Sequence, residues 1–237
     1  MLIALQRSGQ DSPRPTLRGE LHLRRRVAVM LAGALLAVTV VTAFNGAPLR
    51  AATFEVVSRT FTNSNAVLIP TNSFPTKAPF PFGEGQARPY PSQILVSGLT
   101  QGTIRDVNLR LNNYSHTFPD DVDVLLVSPT GRNAVLMSDV GGGSDVSHLT
   151  LILDDEAANS LPLESQIVRG RYKPTNEGFD ENFLEPAPTP SGFTVLGAFD
   201  GSNPNGRWKL YVMDDSEADR GQFAGGWSLR ITARVPT

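Results

Sequence analysis

Beyond residue 52 the apolar residues recur in short alternating runs rather than at helical spacing. Asp121, Asp123 and Leu125 alternate with Val122, Val124 and Leu126, the two-residue period of a strand that turns one face inward. Ser128-Pro129-Thr130-Gly131 then supplies a turn, and residues 133–137 begin the return, because proline and glycine set the backbone angles a tight reversal needs. Trp208, Leu210 and Val212 fall on one face of a late strand, and Trp227, Leu229 and Ile231 on one face of the last. Segments 94–96, 107–111, 149–153 and 193–196 are further strand candidates. No stretch in this region keeps apolar residues at i, i+3, i+4 and i+7 through three turns. The pattern predicts an all-β body, a sandwich or a barrel.

Two segments break the rhythm. Residues 71–91 carry a run of prolines, among them Pro75, Pro79, Pro81, Pro89 and Pro91, and read as an extended connection. Residues 173–191, rich in Pro, Glu and Asn, read as a long surface loop. Proline lacks the N–H that a central strand must donate, so neither belongs in mid-sheet. Residues 214–226 are acidic and glycine-rich and read as a broad hairpin loop between the two tryptophan strands. The division expected is a leader over 1–52, an N-terminal strand with its proline-rich connection over 53–92 at the domain edge, and a sandwich core over 93–235.

The N-terminal segment has another character. Arg24, Arg25 and Arg26 precede residues 27–44, which carry no charge, and small residues gather at the end of that stretch. A basic region, an apolar region and a small-residue cut site make an export signal. The expected product is secreted or sits in the cell envelope, with its mature end between Phe44 and Thr53. An uncleaved hydrophobic helix would instead anchor it to the membrane.

Composition narrows the chemistry. The chain has no cysteine, which excludes disulfides, thiolate metal sites and a cysteine nucleophile. The first 26 residues carry a net charge of +4 and the remainder −6, so the body lacks the basic face of a nucleic-acid binder. After the leader two histidines remain, His116 and His148, and no Gly-x-Ser-x-Gly or His-Glu-x-x-His sequence occurs. A serine hydrolase needs a base beside its nucleophile, and no such pair is visible. A glycosidase needs only two carboxylates, a signal too generic to single out any pair here. Gly141-Gly142-Gly143 leads into no predicted helix, so a phosphate cradle is not expected.

Acidic residues cluster at strand ends. Asp120, Asp121 and Asp123 stand where one strand begins, Asp139 follows the next, and Asp154 and Asp155 follow another. Asp214, Asp215 and Asp219 follow the Trp208 strand. Calcium takes about six to eight oxygen ligands, which carboxylates and loop carbonyls at converging strand ends supply. Asp121, Asp123, Asp139, Asp154 and Asp155 are therefore candidate calcium ligands. The alternative is that each aspartate caps its own turn. Trp208 and Trp227 are read as core, with a stacking platform for sugars as the second reading.

Four segments together resemble the P domain, also called the P/Homo B domain, which follows the subtilisin-like catalytic domain in kexin, furin and related convertases. They are Ser115-His116-Thr117-Phe118-Pro119-Asp120-Asp121-Val122-Asp123-Val124-Leu125-Leu126-Val127-Ser128-Pro129-Thr130-Gly131; Leu136-Met137-Ser138-Asp139-Val140-Gly141-Gly142-Gly143; Asn205-Gly206-Arg207-Trp208-Lys209-Leu210-Tyr211-Val212-Met213-Asp214-Asp215; and the closing run from Gly221 through Gly225-Gly226-Trp227-Ser228-Leu229-Arg230-Ile231. The resemblance runs from about Thr60 to Ala233. It implies a jelly-roll-like β-sandwich and an accessory role. In convertases the domain stabilises the protease, tunes its calcium and pH dependence and contributes no catalytic residue. The expectation is a non-catalytic, calcium-stabilised exported module whose partner is a secreted or surface protein, a subtilisin-like protease for one. The alternatives are a hydrolase whose residues the sequence does not reveal and a carbohydrate-binding jelly roll.

Overall fold

Each alternating run of the sequence becomes a strand except the one at 193–196. The computed structural model describes residues 52–71, 85–178, 182–216 and 218–237, all within one contact unit that begins at Ala51. The expected export signal and hydrophobic helix lie outside the described residues. The strands are β1 (Phe54–Asn63), β2 (Val67–Ile69), β3 (Ser92–Val96), β4 (Thr103–His116), β5 (Val122–Val127) and β6 (Asn133–Ser138). They continue with β7 (Val146–Leu153), β8 (Gly170–Tyr172), β9 (Thr175–Asn176), β10 (Gly206–Asp214), β11 (Gly221–Phe223) and β12 (Trp227–Pro236). Among the described residues the helical turns are 3-10 turns at Pro119–Asp121 and Leu196–Phe199, and no helix is long and apolar enough to cross a membrane.

The strands form two sheets. In the first, β4 is the long axis: β12 and then β11 lie along one edge of it and β7 along the other. β1 and β2 continue outward from β12 and β11, and β8 runs parallel to β7 at the far side. Gly226 makes the step from β11 to β12 possible. Its φ is +64°, and a Cβ there would collide with the Asn63 carbonyl, a position that glycine alone fills without strain. The second sheet has the order β3-β10-β5-β6-β9. Its β5–β6 hairpin closes as the sequence predicts, with Ser128 N–H on the Arg132 carbonyl at 2.8 Å and Gly131 at φ +86°.

The inner faces of the two sheets make one β-sandwich core. Val122, Val124 and Leu126 from β5 meet Trp208, Leu210 and Val212 from β10 and Trp227, Leu229 and Ile231 from β12. Both indoles are fully buried and both N–H groups are satisfied, as buried polar atoms must be. Trp208 Nε1–H donates to the Pro204 carbonyl at 2.9 Å, and Trp227 Nε1–H crosses between the sheets to Ser92 Oγ at 2.8 Å.

The segment expected as a surface loop is instead a second layer. The outward face of β5, β6 and β10 carries Leu125, Val135 and Tyr211, and Phe183 and Ala187 cover it. Tyr211 Oη donates to the Pro186 carbonyl at 3.0 Å and Tyr90 Oη to that of Leu184 at 2.9 Å. Prolines suit this role: the segment crosses the sheet face and needs no ladder hydrogen bonds of its own. The 193–196 strand is also corrected. Phe193 and Val195 are about half exposed, and the chain tightens into the Leu196–Phe199 turn, whose Phe199 packs edge-on against Trp208 at 5.1 Å. The 214–226 loop contains β11, which sequence alternation over three residues is too short to reveal.

Candidate functional site

Pairing register, more than loop sequence, gathers the acidic residues. β10 runs antiparallel to β5 with Asp214 opposite Val122, and β11 meets β4 with Gly221 opposite His116. The end of β4, the start of β5, the end of β10 and the start of β11 therefore share one corner of the sandwich. Asp215 N–H donates to the Asp121 carbonyl at 3.0 Å. Thr117 Oγ1 donates to Asp219 Oδ1 at 2.7 Å and accepts from Arg220 N–H at 3.0 Å. Gly221 is required here, because a Cβ would strike the His116 ring and the Ser115 carbonyl.

His116 lies fully inside this corner. Its Nε2 is 3.4 Å from Asp214 Oδ2, both side chains being buried. Its Nδ1 lies 2.9 Å from the Phe118 carbonyl and 3.2 Å from the Phe118 N–H, so the tautomer decides which of the two it engages. The Tyr114 ring stacks alongside at 6.4 Å. Burial, then the charges of Asp214 and Asp121, hold the Tyr114 hydroxyl well above the usual phenol range.

Asp121 feels the accumulated charge most. Burial and then repulsion from Asp214, Asp215, Asp219 and Asp120 push its carboxyl from 3.8 up to about 7. The folded chain thus holds a proton that the unfolded chain releases between those values. That contribution to stability is complete at the acid end and is lost as pH rises through about 7. Asp121→Asn is expected to raise the melting temperature in chelator at pH 8 and leave it unchanged at pH 4. Water screens part of the repulsion, so the gain is about 2–4 °C; a thermal melt at the two pH values checks it.

The other candidate calcium ligands fall elsewhere. Asp123 and Asp139 flank Ser138, whose hydroxyl lies 2.6 Å from Asp123 Oδ1 and 2.9 Å from Asp139 Oδ2. Asp154, fully buried, pairs with Arg171, and its Oδ1 accepts from Glu156 N–H at 2.9 Å. Asp155 accepts from Leu196 N–H at 2.9 Å and Gly197 N–H at 2.7 Å, capping the 3-10 turn there. The five aspartates therefore do not form one shell. Among the described residues no group of three or more His, Asp or Glu side chains stands where it could share a metal ion.

The remaining features are structural. His148 Nδ1 lies 2.8 Å from Asn113 Oδ1. The glycine run packs closely: Gly142 abuts the Glu164 carbonyl, and a Cβ on Gly143 would lie 2.7 Å from the Phe118 ring. Trp208, Trp227 and Tyr211 are buried, which removes the sugar-stacking platform. Sequence reasoning missed a groove of about 470 Å³ on the outer face of the first sheet, where Asn108, Arg110, Arg171 and Arg230 converge. Their alternation in β4 and β12 was visible, but their neighbours across the sheet are fixed by register alone.

No family model matches the chain, and no curated protein matches it. Among solved structures it is similar to the serine protease of Aeromonas sobria, at 14% identity and a TM-score of 0.33 over 79% of this chain and 28% of that one. It is likewise similar to the structure of that protease in complex with the chaperone ORF2, at 15% identity and a TM-score of 0.33 over 81% of this chain and 28% of that one. The chain thus spans less than a third of the length of either structure.

Proposed function

We propose that the chain is an exported, non-catalytic accessory module of the P/Homo B type. It is a jelly-roll-like sandwich that calcium stabilises and that binds a secreted or surface protein, a subtilisin-like protease being the favoured partner. The observation that carries this reading is that both imidazoles among the described residues have partners within the fold. His116 is enclosed between Phe118 and Asp214, and His148 holds Asn113. A general base must reach its nucleophile; the buried His116 ring is enclosed among the strand ends it joins, and the exposed His148 ring is held by Asn113. The four family-like segments also fall on mutually paired strands, β5 with β6 and β10, and β4 with β11 and β12.

The residues fit calcium unevenly. Asp154 and Asp155 already have protein partners. At the Asp121 corner burial, and then repulsion from the neighbouring aspartates, raises a carboxyl to about 7, and a cation there would relieve the repulsive part. It would rest on Asp121 and Asp215, Asp214 being engaged by His116 and the Ser216 N–H, with carbonyl oxygens and water completing the shell. Its contribution would be charge neutralisation that holds the strand ends together.

A melt in chelator against millimolar calcium, paired with an inactivation assay of a secreted subtilisin-like protease with and without the chain, tests the reading. The expected results are a higher melting temperature in calcium, a longer protease half-life, and no casein hydrolysis by the chain alone. Casein hydrolysis abolished by His116→Ala would replace this reading with that of a hydrolase. An unchanged melt would remove the calcium, and an unchanged protease half-life the partner.

A further inference from the structure

The outer face of the first sheet is a row-by-row arrangement of polar side chains. Thr62 lies opposite Ser228, Ser228 opposite Arg110, Arg110 opposite Ile152, and Ile152 opposite Arg171. In the next row Thr60 faces Arg230, which faces Asn108. Residues two apart in a strand share a face, so Arg110 and Arg230 are diagonal neighbours on adjacent strands. Their side chains and that of Arg171 line a single groove of about 470 Å³, within the usual range for a ligand site.

The charges in this groove do not cancel. Arg171 is paired with the buried Asp154. Arg110 Nε–H donates to the neutral Asn112 Oδ1 at 2.7 Å. Neither Arg110 nor Arg230 pairs with a carboxylate among the described residues. Two adjacent guanidiniums on an otherwise acidic body mark a place for negative charge. A second observation concerns the floor. Asn108 is 7% exposed, its Nδ2–H donates to Asp106 Oδ2 at 2.9 Å, and its Oδ1 has no partner. A buried acceptor left unmatched is costly, so the groove asks for a ligand that brings both carboxylate and a hydrogen-bond donor. No aromatic ring lines it, so a sugar would find no stacking face.

We propose that this groove binds an extended acidic segment of a partner protein, with side-chain carboxylates on Arg110 and Arg230 and a peptide N–H on Asn108 Oδ1. Guanidinium and carboxylate meet through two parallel hydrogen bonds, and the threonine and serine hydroxyls flank the peptide. The inference takes from the proposed function only that the partner is a protein.

Fluorescence anisotropy of a labelled hexaglutamate peptide against the full chain tests it, with an oligogalacturonate as the parallel probe. Both arginines are exposed, so Arg110→Gln/Arg230→Gln should fold normally, as an unchanged melting temperature would verify. The peptide is expected to bind at low salt, to weaken with added salt, and to lose about tenfold in affinity in the double variant. Arg105→Gln/Arg207→Gln, which removes the same charge elsewhere, should leave binding unchanged. Absence of peptide binding, equal loss in both double variants, or binding of the oligogalacturonate alone would overturn the proposal. No protease enters this experiment, so its failure leaves the proposed function standing.

Discussion

Trp208→Ala is expected to cost about 3–5 kcal/mol of stability, the penalty for emptying a fully enclosed aromatic site. Trp208 is 0% exposed, contacts Phe199 edge-on and satisfies the Pro204 carbonyl. The variant loses the packing and leaves that carbonyl without its partner. β10 stands between β3 and β5, so the void opens inside the second sheet, at a strand held by neighbours on both sides. Urea unfolding should show a lower midpoint with an unchanged slope, since the surface exposed on unfolding is nearly the same. A midpoint within 0.5 kcal/mol-equivalent of wild type, roughly the effect of a surface substitution, would show that the indole is not central to the core.

Phe183→Ala is expected to cost about 3 kcal/mol, but in a different manner. Phe183 belongs to the second layer, against Leu125, Val135, Tyr211 and Met213. Removing it uncovers the outer face of the second sheet while the main core stays closed. Release of the 182–190 cover should therefore precede global unfolding. The measurable result is faster chymotryptic cleavage after Leu184 under native conditions. If cleavage there tracks global unfolding instead, the two layers form one cooperative unit.

How far the sequence foretells this molecule depends on what each feature rests upon. Alternation exposed β5, β10 and β12 because one face of each meets the large core, and among them burial is one-sided in β12. The same rule misread the other face of β5. The alternation sets Asp123 and Leu125 opposite the core face, yet Asp123 is 4% exposed and Leu125 0%, because a proline-rich segment distant in sequence covers Leu125 and Ser138 of β6 lies against Asp123. Alternation also over-read 193–196, where Phe193 and Val195 remain half exposed and only Leu196 reaches the core. Strands of two or three residues, such as β9 and β11, carry too few positions to show a period. The candidate site divides along similar lines. The aspartates were visible as clusters, but whether Asp155 meets Asp121 or a 3-10 turn is a matter of register. The Arg110–Arg230 diagonal arises from a pairing between residues more than a hundred positions apart, which spacing along the chain does not contain.

One consequence follows from the place of β12. It is the last of the strands in chain order, yet it fills the gap between β1 and β4. Thr237 N–H closes the seam on the Thr53 carbonyl at 2.9 Å. Until residues 227–236 dock, β1 lacks its neighbour and the first sheet has a missing plank. Contacts joining the beginning of a domain to its end are slow to form, so closure of the β1–β12–β4 seam is expected to be a late step in folding.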